Sequence, residues 1–339
     1  MNRWWAAGLL LAMLSACAPP ASDKPRRDGF GDSLLRIVPP TASPGHFRPV
    51  QTGVELLVLG VAQDAGFPQL RCQKACCRGV DTLAAPIHVV SLGLIDARQD
   101  RRWLFEASPD LVDQIRMLDS LSAPRGIERF LDGIFLTHAH IGHYTGLMYL
   151  GREAMGARAV PVYAMPRMEA FLRENGPWDQ LVTLENIELR QLRADSVVEL
   201  ADSLAVVPVR VPHRDEYSET VGYRIHGPRA SALFIPDIDK WAKWERDIAE
   251  EIAAVDYALL DATFFAEGEI PGRDMSEIPH PFVQESMAQL DDLPLVDKQK
   301  VYFIHFNHTN PLLQPDSEAR RQVEAAGFRV ARQGMGFRL

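Results

Sequence analysis

Three histidines fall within the short stretch Thr137-His138-Ala139-His140-Ile141-Gly142-His143. Neutral imidazole is the commonest protein ligand for zinc and similar ions. The stretch follows the apolar run Gly133-Ile134-Phe135-Leu136, which reads as a strand. In an extended segment His138 and His140 point to one side, and His143 returns to that side once the chain turns into a helix. These residues are expected to form one wall of a metal site at a strand end. An ion held there would acidify a water and polarise a carbonyl or phosphoryl oxygen.

Further residues of ligand type end other apolar runs. His213 follows Leu204 to Val211, Asp237 follows Ala232 to Ile235, Asp261 ends Tyr257 to Leu260, and His305 ends Val301 to Ile304. Val54 to Gly60, Val89 to Ile95, Arg102 to Phe105, Val160 to Ala164 and Thr220 to Ile225 also read as strands. Helices are expected at Pro109 to Asp119, about Gly146 to Met155, Pro166 to Asn175 and Trp241 to Ala254. Alternating strands and helices imply an α/β or four-layer αββα architecture. A rigid scaffold of that kind places functional residues on loops at strand ends.

The chain has 339 residues, 47% hydrophobic and 24% charged, with net charge −9. That balance suits a globular protein and argues against a large nucleic-acid footprint, so no nucleic-acid partner is expected. The N-terminus reads as a signal segment: Arg3 precedes an apolar run, Trp4 to Leu14, too short to span a bilayer. Leu14-Ser15-Ala16-Cys17 resembles a bacterial lipobox, which would make Cys17 the lipidated first residue; a plain signal peptide with a chance cysteine is the alternative. Ala18 is not the aspartate associated with inner-membrane retention, so a Gram-negative host implies an anchor on the periplasmic face of the outer membrane. The resulting division is a signal peptide at 1–16, a lipidated and Pro-rich tether at 17–50, and one domain at 51–339.

On these residues the chain resembles the metallo-β-lactamase superfamily of metal-dependent hydrolases, whose central motif is His-x-His-x-Asp-His. The motif stands here as His138-Ala139-His140-Ile141-Gly142-His143. The superfamily's later ligands match His213, the metal-bridging Asp237 and His305. The resemblance implies the αββα sandwich and two metal corners: His138, His140 and His213 in the first, His143 and His305 in the second, with Asp237 between. Gly142 stands where the motif has its carboxylate. Losing that ligand predicts one tighter ion and one weaker or absent ion, unless Asp64 or Asp215 supplies a substitute carboxylate. Solvated loop aspartates are the plainer reading of both.

A closer resemblance is to the branch holding PqqB-like proteins and the cyclic phosphodiesterase of phosphonate breakdown. Leu59 to Pro68 looks like that branch's opening loop. The branch implies a structural zinc held by Cys72, Cys76, Cys77 and His308, the last three residues beyond His305. Adjacent Cys76 and Cys77 depart from its spacing, so one of the two is expected to be idle; a disulfide plus a free thiol is the alternative. Asp261-Ala262-Thr263 followed by Ile278-Pro279-His280-Pro281 implies His280 as general acid, against the reading of a loop histidine between prolines. Arg214 is a candidate for attracting an anion.

The expected activity is hydrolysis of a small anionic phosphodiester by a metal-activated water. One or two zinc ions are expected in the site, with manganese as the other candidate metal, and one further structural zinc. The competing expectations are a PqqB-like role linked to pyrroloquinoline quinone biosynthesis, and a non-catalytic metal-binding lipoprotein. Against the PqqB-like role, such proteins are expected in the cytoplasm and typical members lack most of these histidines.

Overall fold

The computed structural model describes residues 49–78, 80, 86–122, 125–126 and 129–339. The expected signal peptide, Cys17 and nearly all of the tether lie outside the described residues. The domain holds two seven-stranded sheets. The first is built from β1 (Val54–Gly60), β2 (Ser91–Asp96), β3 (Arg101–Phe105), β4 (Gly133–Phe135), β5 (Val160–Ala164) and β6 (Ile187–Gln191). The second is built from β7 (Val198–Ala201), β8 (Leu204–Arg210), β9 (Val221–His226), β10 (Ser231–Ile235), β11 (Tyr257–Asp261), β12 (Val301–Ile304) and β13 (Arg329–Val330). The last strand, β14 (Gly336–Arg338), returns to the first sheet, whose order is β14-β1-β2-β3-β4-β5-β6. The second runs β13-β12-β11-β10-β9-β8-β7.

Side-chain alternation along a strand explains the layers. On β1, Leu56 and Val58 join the core between the sheets. Leu57 and Leu59 join a second core, under helix α1 (Leu111–Leu121), with Leu111 and Leu118. A strand buried on both faces reads as a continuous apolar run, as Leu56 to Leu59 does. The helices Ile248–Ala253, Val283–Gln289 and Glu318–Ala325 bury Ile252, Val283 and Val323 into the core of the second sheet. Helix, sheet, sheet and helix layers make the four-layer αββα sandwich expected from the sequence.

Strand direction sets up the site. In the first sheet β1 is antiparallel to β2, β2 to β3, and β3 is parallel to β4, so β1, β3 and β4 point one way. In the second, β8, β10, β11 and β12 share a direction. Beyond β1, Ala62 bridges both to Val89, just before β2, and to Phe306, after β12. Gln63 N–H donates to the Phe306 carbonyl at 2.8 Å, and Phe306 N–H to the Val61 carbonyl at 2.8 Å. Gly60 makes this possible, because a Cβ there would lie 2.0 Å from the Val89 carbonyl oxygen.

Two expected helices differ. The stretch expected at Gly146 to Met155 is a 3-10 turn, Thr145–Leu150, after the short helix α2 (Ile141–Tyr144). The stretch expected at Trp241 to Ala254 breaks after Lys243 and restarts at Ile248, where the Asp247 carboxylate caps the Ala249 N–H at 2.8 Å. Trp241 Nε1 donates to Ser286 Oγ and Trp244 Nε1 to the Arg210 carbonyl, both at 2.8 Å. Those two hydrogen bonds fix the intervening chain out of helical register.

Candidate metal centre

Each ligand-type side chain sits just past the carboxyl end of a co-directed strand. Asp64 follows β1 and Glu106 follows β3. The three clustered histidines follow β4 and enter α2. His213, Asp237 and His305 follow β8, β10 and β12, and Asp261 is the last residue of β11. Ligand atoms of His138, His140, His213 and Asp237 form one group within 4.8 Å of one another. Those of Asp64, His143, Asp237 and His305 form a second, and Asp237, Asp261 and His280 a third.

The first corner is tight. His138 Nε2 lies 2.8 Å from His140 Nδ1, and His213 Nε2 lies 3.3 Å from the same atom. Asp237 reaches His138 Nε2 at 3.3 Å with one oxygen and His213 Nε2 at 3.2 Å with the other. In the second corner His143 Nε2 is 2.9 Å from Asp64 Oδ1 and 3.7 Å from Asp237 Oδ2, and His305 Nε2 is 3.6 Å from Asp64 Oδ1. Asp64 Oδ1, His143 Nε2 and His305 Nε2 are buried and close to one another, yet none makes a hydrogen bond of good geometry. Buried polar atoms are ordinarily satisfied. Three unsatisfied atoms converging on one point fit an oxygen-and-nitrogen shell for a divalent ion, the donor set zinc takes.

Asp64 occupies the space left by Gly142. A Cβ built on Gly142 would lie 2.4 Å from Asp64 Oδ1 and 2.5 Å from Asp64 Cα. The carboxylate missing from the motif therefore enters from the other side of the site, on the segment that Ala62 ties to both sheets. Asp215 does not take this place. It is half-exposed on the loop after His213, where Arg167 Nη1 reaches it at 3.3 Å and draws it to the surface.

The outward nitrogens of the ring ligands are held in turn. Thr137 Oγ1 is 2.8 Å from His138 Nδ1, Asp239 Oδ1 is 3.3 Å from His213 Nδ1, and Thr263 Oγ1 is 3.0 Å from His305 Nδ1. Glu106 Oε1 is 3.3 Å from His143 Nδ1. Partners of this kind fix ring orientation and tautomer. Glu106 and His305 both have φ in the left-handed region, at 76° and 70°, the kind of strain that collects at functional sites. Sequence reasoning missed Glu106 and Asp239. The only signals were a carboxylate ending β3 and a second aspartate in Pro236-Asp237-Ile238-Asp239.

Electrostatics follow from the burial. Desolvation opposes charge throughout the cluster. At Asp237 it is overcome by His213 and His280, which hold its carboxyl well below the usual range. Desolvation also works against a charged His213, yet Asp237 with help from Asp239 raises that imidazole to about 10. Against the same penalty, Asp237 and Asp261 bring His305 to about 9, and Glu106 and Asp64 hold His143 well above its ordinary value. His138 goes the other way, pushed well down by burial and by the neighbouring His143.

His280 stands over the shared aspartate. Its Nδ1 lies 2.8 Å from Asp261 Oδ2 and 3.1 Å from Asp237 Oδ1. Asp261 also accepts from Thr263 N–H and Ile238 N–H, at 2.9 and 3.1 Å. Arg214 is exposed on the rim, with Nη2 3.4 Å from His140 Nε2 and Nη1 3.6 Å from Glu216.

Cys72, Cys76, Cys77 and His308 form a separate cluster. The Cys72–Cys76 and Cys76–Cys77 sulfur separations are 3.9 and 4.0 Å, too long for any disulfide, and the three thiols are free. Tetrahedral zinc with Zn–S bonds of ~2.3 Å spaces its sulfurs by about 3.8 Å. Neither adjacent cysteine is set aside, since His308 Nδ1 is 3.7 Å from Cys76 Sγ and 3.4 Å from Cys77 Sγ.

Known proteins share this architecture. Coenzyme PQQ synthesis protein B of Methylobacterium nodulans is 28% identical over 312 residues, covering 84% of this chain and all of the relative. The crystal structure of Zn2+-bound PqqB from Methylobacterium extorquens superposes with a TM-score of 0.70 at 25% identity, over 84% of this chain and 100% of that one. A diphosphatase of the PhnP family shares the fold, with a TM-score of 0.57 at 22% identity over 84% of this chain and 96% of that chain. The family model of the beta-lactamase superfamily domain matches residues 101–306, which contain every ligand position of the two corners except Asp64, and the chain belongs to that family.

Proposed function

We propose that the chain is a metal-dependent hydrolase with a two-ion site completed by Asp64. The observation that carries this reading is the convergence of Asp64 Oδ1, His143 Nε2 and His305 Nε2, all buried and without a well-formed hydrogen bond, beside the three-histidine corner. Divalent ions bound there supply Lewis acidity and an acidified water. Asp237 spans the two corners and fixes their separation. His280 has Nδ1 committed to Asp261 and Asp237, which leaves Nε2 to give a proton to a departing oxygen. With a phosphodiester, water attacks phosphorus, the P–O bond to the leaving group breaks, and that oxygen takes the proton from His280.

Metal-dependent turnover of bis-(p-nitrophenyl) phosphate tests the hydrolase reading; no turnover with zinc or manganese would remove it. His280→Ala tests the acid. A substrate with an alkoxide leaving group should slow by ~10²–10⁴, while p-nitrophenolate, which needs no proton, should leave at nearly the wild-type rate. Equal losses on both substrates would reject the role. The cysteine cluster is proposed as a structural zinc site, in which Cys72→Ser should remove one zinc per chain and spare the active-site metal. Acylation of Cys17, read out by mass spectrometry of the mature chain, is the test of the lipid anchor.

A second reading has its own support in the similarity to coenzyme PQQ synthesis protein B over the whole length of that relative. On this reading the site serves pyrroloquinoline quinone synthesis. Restored quinone production in a bacterium lacking its own PqqB would favour it. Failure there together with phosphodiester turnover would favour the first.

A further inference from the structure

The end of the first sheet opposite the metal ligands carries a cleft of about 270 Å3. It forms at the amino ends of β3 and β5, whereas the ligands follow the carboxyl ends of β1, β3 and β4. Arg101, Arg129, Arg158 and Arg190 line it, and Asp132 is the one carboxylate among the described lining residues. Asp132 is already occupied. Arg125 reaches it at 2.8 Å, and Arg101 and Arg129 at 3.3 Å each. Arg125 also reaches Asp100 at 3.8 Å and Arg190 pairs with Glu188 at 3.2 Å, so five arginines face three carboxylates here, and Arg158 is exposed at the rim. In a chain of net charge −9 this is a marked local reversal of sign.

The cleft also has a built wall. Gly133 has no side chain, and a Cβ there would lie 2.7 Å from Tyr163 Cε2, so the Tyr163 ring occupies that space. The ring stacks on Phe135 with centroids 4.3 Å apart, and the Arg190 guanidinium lies 5.9 Å from its centroid. Arg101 is anchored by donating to the Leu200 carbonyl on β7 and by packing 4.7 Å from the Trp103 ring. Guanidinium groups held in place by stacking and backbone contacts lose little freedom on binding an anion, and their planar forks match phosphate oxygens. A concave site lined by one sign of charge also concentrates counter-ions from solution.

We propose that this cleft binds a phosphate group, independently of the metal centre. The group could be a free phosphate or the headgroup of an anionic phospholipid, which offer the same oxygens. Titrating the full-length protein with inorganic phosphate, and sedimenting it with phosphatidylglycerol vesicles against phosphatidylcholine vesicles, distinguishes the two sources. The Arg158→Glu/Arg190→Glu variant changes two exposed positions and should fold normally, as circular dichroism checks. At least fivefold weaker phosphate binding in that variant supports the site with a free ligand. Loss of phosphatidylglycerol sedimentation alone supports it with a headgroup. Arg158→Lys/Arg190→Lys should recover part of either signal, and the binding should weaken with salt. Binding of both probes that is equal in the wild type and the glutamate variant, or absent from both, would overturn the proposal.

Discussion

The two metal corners solve the same problem from different materials. The first draws two of its histidines from one short stretch and the third from the end of β8, with His140 Nδ1 2.8 and 3.3 Å from the Nε2 atoms of the other two. The second takes one residue each from the ends of β1, β4, β10 and β12. The first also spans both sheets, through His213 and Asp237, but takes two of its four ligands from that one stretch. The second depends on the segments after β1 and β12 meeting at Ala62. His143, Asp237 and His305 were already readable in the sequence, while the choice of Asp64 over Asp215 is seen only once the fold closes.

The largest effect should come from removing what the corners share. Asp237→Ala strips a carboxylate from both, so active-site metal should be lost at both positions and turnover should fall on the order of 10³-fold. Elemental analysis showing both ions retained would mean the corners are independent. Next, Asp64→Ala and His140→Ala should dissociate the pair. Each should weaken one ion by at least ~10–100-fold, the scale on which even outer partners act, and spare the other. If Asp64→Ala leaves the stoichiometry untouched, the second corner does not use it.

The exchange between Gly142 and Asp64 allows a sharper test. Gly142→Asp alone places a side chain onto Asp64 and should destabilise the fold by ~1–3 kcal/mol, the usual range for overpacking. Combined with Asp64→Ala it has room, and the double variant should regain the second ion that Asp64→Ala loses. Thermal melting and metal content read these two outcomes, and a double variant no better than Asp64→Ala would argue against the exchange. The smallest effects belong to the outer partners. Asp239→Asn should weaken the first corner and Glu106→Gln the second, each by about tenfold in metal affinity. A reversed pattern would mean that the partners are assigned to the wrong rings.

Much of this was legible in the sequence. Strand–helix alternation left an α/β or a four-layer αββα architecture open and the family resemblance implied the sandwich, while His138, His140, His143, His213, Asp237 and His305 stand at strand ends as that resemblance implied. What the chain could not display was direction across the fold. Asp64 and Asp215 were equal on paper, each a loop aspartate near a ligand-bearing strand. Only the Ala62 bridge to Phe306, and the ion pair to Arg167, separate them. Glu106 was hidden for the same reason, since nothing local to β3 reveals that its end faces His143. The edge strands β6, β7, β13 and β14 were also missed. Residues such as Glu188 and Arg190 on β6 are solvated, so the apolar signal of a strand is diluted there.

The bridge at Ala62 has a consequence for how the protein is made. It brings a ligand from the first strand against one that follows the twelfth, so the second corner cannot exist until almost the whole domain has been synthesised. Contacts this distant in sequence are slow to form, because a long loop must close before they contribute. An ion that binds only the finished corner would then stabilise late-formed structure and little that precedes it. Metal supply should therefore govern the yield of mature protein through its rate of unfolding more than through its rate of folding.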